Sequence, residues 1–496
     1  MKRILIILSV FTSTLCFSQT KVVIGEYQQG YITSDGRVYT PVVTGYDYRV
    51  TMSLVNNMDS IVDGDGAQYT TIYRDTAGKV FVLQGQSIKV TNYFLKDDGS
   101  QINATRINGL HKSYFAIENG EVYYLCPQVD ELNQNHGVII NEWKKLKQPS
   151  GNRTITKITS GLTSDVYSIM MALCSDGTVW EYTRNSTTPV KLSFKGIAVD
   201  IAQISANAQI IITSSNKILV KGFYASYVEG GINGSTTFSD VTNFFTSKGV
   251  TYPLKMIKGT SNSVHLIDAN NNLYGSGGNM EGMLGTGDQY PSWRTYRSFG
   301  ARKPYQWSWQ SGDRNTGVVQ VPGKFKNIVT HNALTYYVYA QDMGENWYSW
   351  GRNKASALGN GVHMKNNDEA YYYDYLNIPA PRKVTPLIAS WSYIPNVDTA
   401  TLRTPIASAG VDQYLINETS TTLYGQGSHQ QQPTAKTTIK LTNEWTKISG
   451  PDCIIVNSNY INTKVTNLTK GIYVFRNTVT SSHGKDYQDI IVNVEF

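Results

Sequence analysis

Seven times along this chain the same passage returns: an apolar run, a reversal at Asp-Gly or a substitute for it, then a short run rich in Val, Tyr and Trp. The copies begin as VVIGEYQQGYITSDGRVYT at Val22, IVDGDGAQYTTIYRDTAGKVFVL at Ile61, INGLHKSYFAIENGEVYYL at Ile107 and ITSGLTSDVYSIMMALCSDGTVWEYT at Ile158. More worn copies start at Ile201, Met256 and Ile328. One such unit cannot bury its own apolar face, so the units must stack on one another. Their pace is readable from the second turn residue: Gly36, Gly78, Gly120, Gly177 and Asn216 lie 42, 42, 57 and 39 residues apart. That spacing suits four short strands per unit, arranged radially so that only short edges stay exposed.

The sixth and seventh copies carry more. LYGSGGNMEGMLGTGD runs from Leu273 to Asp288, and YSWGRNKASALGNG from Tyr348 to Gly361. Each joins an apolar or aromatic strand end to a Gly, an Asn and a Leu-Gly-x-Gly turn, where Gly supplies the positive φ of a tight reversal. These passages resemble the repeat of the regulator of chromosome condensation family, over about residues 20 to 390. The resemblance implies a seven-bladed β-propeller. The first five copies lack the Trp-Gly-x-Asn and Leu-Gly-x-Gly parts, and the strand that seals the last blade is not readable. His265 and His331 sit near the place where the family repeat carries a His, which reads as a blade histidine with a structural task.

Two insertions break the rhythm. The first, Gln289 to Gly317, interleaves Tyr290, Trp293, Tyr296, Phe299, Tyr305, Trp307 and Trp309 with Arg294, Arg297, Arg302, Lys303 and Arg314. The second, His363 to Leu376, holds Asp368, Glu369, Tyr371, Tyr372, Tyr373, Asp374 and Tyr375. Long insertions in compact domains tend to be functional, and Trp, Tyr and Arg are the residues that dominate interface hot spots. The candidate binding residues are therefore Trp293, Arg294, Tyr296, Arg297, Tyr305, Trp307, Trp309, Tyr371, Tyr372, Tyr373 and Tyr375. Packing of the same rings onto the propeller rim is the competing reading.

From Trp391 the texture changes to a Thr- and Pro-containing linker, and alternating strand patterns follow from residue 406 to the end. Ala409-Gly410-x-Asp412-Gln413, Trp445 to Pro451, and Leu468 through Gly471-Ile472-Tyr473-Val474-Phe475 to Thr480 carry a resemblance to the polycystic-kidney-disease-like immunoglobulin-type sandwich. That resemblance makes Trp445 the core tryptophan and Tyr473 a strand residue. Such domains often offer an acidic Asp-x-Asp-Gly to calcium after the Gly-x-Gly-Ser turn. Here His429 to Pro433 stand in that place, and Asp412 is expected to bond backbone in a turn. The fold class is all-β: residues 1–18 a signal peptide, 19–390 the propeller, 391–405 a linker and 406–496 the sandwich.

Lys2, Arg3, the apolar run Ile4 to Val10 and small residues before Gln19 compose a secretory signal, too short to span a bilayer. The formal charge of +7 falls to +5 without Lys2 and Arg3. No run of five Lys/Arg exists to follow a phosphate track, so nucleic acid is not an expected partner. Cys126, Cys174 and Cys453 remain, an odd number whose spacing fits no disulfide framework or zinc site. Cys126 and Cys174 read as buried apolar residues, a disulfide between them being the other reading.

The search for chemistry is negative. No His-Glu-x-x-His, Gly-x-Ser-x-Gly or phosphate loop occurs, and the seven His never fall at metal-ligand spacing. Asp63-Gly64-Asp65-Gly66 lacks the further oxygens and terminal Glu of an EF-hand loop and reads as a blade strand. Asp59-Ser60-Ile61, Asp75-Thr76-Ala77 and Asp398-Thr399-Ala400 resemble a bacterial O-glycosylation acceptor, with Thr399 alone expected to be exposed.

These readings describe a secreted or cell-surface bacterial protein, the periplasm being the other compartment open to it. It is expected to be non-catalytic, without cofactor or metal, and to recognise an extracellular protein or glycan through the aromatic insertions. The family's nuclear exchange-factor role does not carry over to a chain with a signal peptide. A secreted bacterial member that inhibits β-lactamases through an aromatic propeller face makes an inhibitor the alternative. A polysaccharide-active enzyme is the third reading, and it needs two carboxylates roughly 5 to 9.5 Å apart in one cleft, near Asp368 and Glu369 for instance.

Overall fold

The computed structural model describes residues 19–24, 29–44, 49–66, 70–84, 94–110, 113–126, 140–161, 169–183, 186–204, 208–222, 235–260, 263–278, 282–285, 314–331, 337–352, 377–384, 405–428, 440–482 and 484–496. The signal segment and the linker centre lie outside them.

The first half consists of antiparallel meanders, each built from consecutive strands. The first is β1 (Gln19–Ile24), β2 (Gln29–Thr33), β3 (Val38–Thr44) and β4 (Arg49–Leu54), followed by β5 (Ile61–Gly66), β6 (Thr70–Asp75) and β7 (Val80–Gln84). Next come β8 (Arg106–Leu110), β9 (Ser113–Glu118), β10 (Glu121–Cys126) and β11 (Ile140–Lys145), then β12 (Ile155–Gly161), β13 (Ile169–Cys174), β14 (Val179–Thr183) and β15 (Ser186–Lys191). A fifth meander holds β16 (Ala198–Ile204), β17 (Ala208–Thr213), β18 (Ile218–Gly222) and β19 (Ser235–Asp240), and the short helix α1 (Thr242–Thr246) follows it.

The last propeller sheet has seven strands: β20 (Met256–Gly259), β21 (Ser263–Ile267), β22 (Asn272–Gly278), β23 (Arg314–Val329), β24 (Tyr337–Asp342), β25 (Trp347–Arg352) and β26 (Asn377–Lys383). The 16-residue β23 closes one meander with its first half and opens the next with its second. The first insertion therefore ends earlier than its sequence suggests, because Arg314 and Asn315 already pair with Gly278 and Gly277.

The inner strands β1, β5, β8, β12, β16, β20 and the second half of β23 touch one another in that order, and β23 touches β1, so the described strands form a closed ring. A blade sandwiched between two others buries both faces. That is why β17, AQIIIT, is buried at every position rather than at alternate ones. Ile210, Ile212, Val220, Val264 and Leu266 share one such inter-blade core with Phe245 of α1. Each aliphatic side chain there contributes about 1.5–3 kcal/mol by leaving water.

The recurring turn glycine fixes how one blade meets the next. Gly36, Gly78, Gly120 and Gly177 have φ of 77°, 85°, 80° and 75°. Each offers its carbonyl to an amide at or just before the next inner strand: Ile61 at 2.9 Å, Ala104 at 2.7 Å, Ile155 at 2.9 Å and Ala198 at 3.0 Å. A Cβ on Gly36 would stand 2.8 Å from Ser60 Cα, so the turn is glycine both for its φ and for this approach. The repeat read from sequence is thus a joint between blades as well as a hairpin.

The C-terminal part is a β-sandwich of β27 (Ile406–Ser408), β28 (Gln413–Ile416), β29 (Ser420–Tyr424), β30 (Gln426–Ser428), β31 (Thr442–Ser449), β32 (Ile454–Ile455), β33 (Asn462–Thr466), β34 (Gly471–Ser481) and β35 (Gly484–Glu495). Its main sheets run β28-β35-β34-β31 and β29-β33-β32. Trp445, Tyr473, Phe475, Leu423, Val465 and Ile490 form the core between them. Tyr473 Oη donates to Thr469 O at 3.1 Å and accepts from Thr469 N at 2.8 Å, tying the strand to the preceding corner.

The sandwich is bonded to the last blade. Arg382 donates to Ala407 O at 3.1 Å and to Asp486 at 2.9 Å, and Ser408 Oγ donates to Pro381 O at 2.7 Å. Asp412 is not the simple turn residue expected. One carboxylate oxygen accepts from Ile491 N at 2.8 Å, and the other from Lys383 Nζ at 2.8 Å and Asn346 Nδ2 at 3.2 Å, across the junction.

The glycosylation-like tripeptides differ from expectation, whereas Cys174 is buried as expected. Ser60 and Thr76 are both exposed, and Thr76 N donates to Ser60 O at 3.0 Å, while Thr399 lies outside the described residues. Cys174 is a buried free thiol, and Cys453 is free and half-buried.

Candidate functional site

The inner strands enclose a channel with a cavity of about 330 Å³. Register shows which residues each strand brings to the same level. Lys21, Asp63, Arg106, Lys157, Asp200 and Asn327 face Ile32, Arg74, Ile117, Leu173, Ile212 and Gln341, each the penultimate residue of its second strand, and Met256 faces the last, Ile267. Two residues further on, with the strand period, come Asp65, Asn108, Thr159 and Lys258. Charged residues thus sit on most of the staves.

Side chains of the channel bridge neighbouring blades. Lys21 Nζ donates to Val62 O at 2.6 Å and Asp63 at 3.3 Å. Asp65 Oδ2 accepts from Asn108 Nδ2 at 2.8 Å and Gly109 N at 2.9 Å, while Oδ1 accepts from Gly66 N at 2.9 Å. Lys157 pairs with Asp200. Burial raises the Asp65 carboxyl above its ordinary range, against the pull of His331, the Gly109 and Gly66 amides and Lys258. Burial likewise pushes the Lys157 ammonium down; Asp200 opposes this, and Lys258 and Arg106 add to it.

The carboxylates are committed. Asp63 also lies 3.8 Å from Arg74, and Asp65 has donors on both oxygens. Neither is placed as a free general acid or base, and no group of three or more His, Cys, Asp or Glu among the described residues could hold a metal. Asp368 and Glu369, named above as a carboxylate pair, lie outside the described residues.

So do all eleven candidate binding residues: Trp293, Arg294, Tyr296, Arg297, Tyr305, Trp307, Trp309, Tyr371, Tyr372, Tyr373 and Tyr375. The strands that carry their segments are described. The first insertion joins β22 to β23, where Gly278 faces Arg314, and the second joins β25 to β26, where Arg352 faces Asn377. Both are connections from the third to the fourth strand of adjoining meanders. In an antiparallel meander these connections all emerge at one face.

The stem of the first insertion is pinned by the repeat motif itself. Trp350 Nε1 donates to Met283 O at 2.8 Å, and His265 Nε2 lies 3.0 Å from the same carbonyl. Gly285 has φ of 71°, and a Cβ there would approach Trp350 Nε1 to 2.8 Å. The Trp-Gly of one blade and the Leu-Gly of its neighbour are thus two halves of one contact. Burial lowers the His265 imidazole to about 4, so it is neutral at pH 7. This is the structural task expected of a blade histidine.

Sequence reasoning treated Asp63 and Asp65 only as strand residues and did not find the channel. The signal was present, since Lys21, Asp63, Lys157 and Asp200 each stand two residues after the start of an inner strand.

A family model of the PKD domain matches residues 409–494. The solution structure of the PKD domain from KIAA 1837 protein is 32% identical over 18% of this chain and 84% of its own, with a TM-score of 0.15. Human WBSCR16 is similar at 13% identity, covering 64% of this chain and 85% of that one, with a TM-score of 0.48. Prp20p from Saccharomyces cerevisiae is similar at 14% identity over 71% and 81% of the two chains, with a TM-score of 0.46. A search of curated proteins gives no significant match. The chain is a nearly all-β protein in which a β-propeller is followed by a PKD-like, immunoglobulin-type domain at residues 409–494.

Proposed function

We propose that this is a secreted, non-catalytic recognition protein that binds an extracellular protein or glycan through the two aromatic insertions of its propeller. The observation that carries the reading is their common origin: both leave third-to-fourth-strand connections of adjoining meanders, and so one face receives both. On this reading the seven aromatic residues of the first insertion and the four tyrosines of the second act together. Aromatic rings bury much area at little entropy cost, and Arg forks onto acceptors. The committed carboxylates of the channel support a binding role over hydrolysis. Secretion rests on residues 1–18, and a PKD-like domain suits an extracellular setting.

The test is capture by purified residues 19–496 on a glycan array and from cell-surface extracts, beside a variant with Trp293, Trp307 and Trp309 changed to Ala. A ligand whose binding drops tenfold or more, about 1.4 kcal/mol, places recognition on the first insertion. Equal capture by both proteins removes these tryptophans from the binding surface.

A further inference from the structure

The channel has more donors than its own acceptors use. Arg106 on β8, Lys157 on β12 and Lys258 on β20 all line the cavity, and the charges of Arg106 and Lys258 both act on Lys157. Lys157 has Asp200 as its ion-pair partner. Neither Arg106 nor Lys258 has a carboxylate within ion-pair distance among the described residues. Trp347, 3% exposed, lines the same cavity, and its indole N–H has no hydrogen-bond partner among the described residues. The acceptors nearby are already occupied, Asp63 by Lys21 and Asp65 by Asn108, Gly109 and Gly66.

Like charges gathered in a partly desolvated space repel, and an anion between them removes that cost. A cavity of about 330 Å³ has room for roughly ten waters at about 30 Å³ each, or for a small organic acid. We propose that the channel is an anion site that takes one small oxyanion, bearing carboxylate or phosphate groups, between Arg106, Lys157 and Lys258. Arg offers a planar fork to such a group, and the two lysines act as point charges. The site is independent of the insertions, so either can fail without the other.

The experiment is calorimetric titration of residues 19–496 with citrate in one arm and inorganic phosphate in the other, at fixed ionic strength. Binding of one of them with a Kd below about 1 mM is expected. Lys258→Met and Arg106→Met should each weaken it at least tenfold, and Lys485→Met, on the exposed sandwich surface, should leave it unchanged. Without anion, the two channel variants should unfold at the parent's temperature or above it, because each removes a like charge from beside Lys157. No binding in either arm, equal binding by the channel variants, or their unfolding below the parent would overturn the proposal; the last would make these cations props of the fold.

Discussion

Lys383→Met should loosen the sandwich from the propeller while leaving both folded. In the parent, Lys383 Nζ lies 2.8 Å from Asp412, whose side chain is only 3% exposed. The variant leaves that carboxylate with Ile491 N and Asn346 Nδ2 as donors, and with buried Asp342 near it. Removing one partner of a fully buried pair costs about 3–5 kcal/mol, and a charge-assisted hydrogen bond at a wetter site about 1.5–3. Lys383 is itself 34% exposed, so water can reach the cut end and about 2–3 kcal/mol is the expected loss. Hydrogen exchange reads it at the Asp412 amide, which donates across the junction to Tyr348 Oη at 2.9 Å. Its protection should fall roughly 30- to 140-fold. Asp412→Asn in the Lys383→Met background should recover part of the loss, since no uncompensated charge then remains. A fall of less than about threefold, near 0.6 kcal/mol, would refute the reasoning and make the junction one of shape alone.

Two other outcomes follow from the buried groups. His265 titrates at about 4 in the fold against 6.5 unfolded, so below pH 6.5 the unfolded chain takes a proton that the native chain refuses. Stability is lost as pH falls from 6.5 to 4, by about 3 kcal/mol, and His265→Gln should flatten the parent's curve over that interval; parallel curves would show that His265 does not govern it. Tyr339→Ala, at the meeting of the last blade with the first, should cost about 3–5 kcal/mol and speed exchange in β1–β4 and β23–β26 ahead of the other blades, whereas a uniform rise would mean that the ring opens as one unit.

The sequence made the blades legible because each hairpin is local: a turn glycine and the two strands it joins lie within a few residues, whereas the bond from that glycine to the next blade spans a longer stretch. The Trp350 and Gly285 motif was equally plain, although its meaning as a contact between two blades needed coordinates. The channel was not legible, since Arg106, Lys157 and Lys258 come from three strands and meet only when the ring closes. Asp412 does bond backbone as expected, but its reach across the junction was hidden for the same reason. Its partners Asn346, Lys383 and Ile491 lie 66, 29 and 79 residues away, and a lone Asp after Gly410 looks like any turn residue.

Ring closure also gives the sandwich a mechanical reason to be where it is. The four strands of the first blade are consecutive, and so are those of the last, so no strand is shared between the two ends of the described chain. At the seam Val22, Ile24 and Tyr31 pack on Tyr337, Tyr339, Trp347 and Val384, and the Tyr31 and Tyr339 hydroxyls stand 3.4 Å apart. Opening the seam would break that packing and the hydroxyl pair. The outermost strand of the last blade, β26, is the one that Ala407, Ser408, Asp412 and Asp486 grip from the sandwich. Holding β26 steadies the blade that forms one side of the seam and also carries the second insertion. The C-terminal domain therefore holds the strand to which that insertion returns.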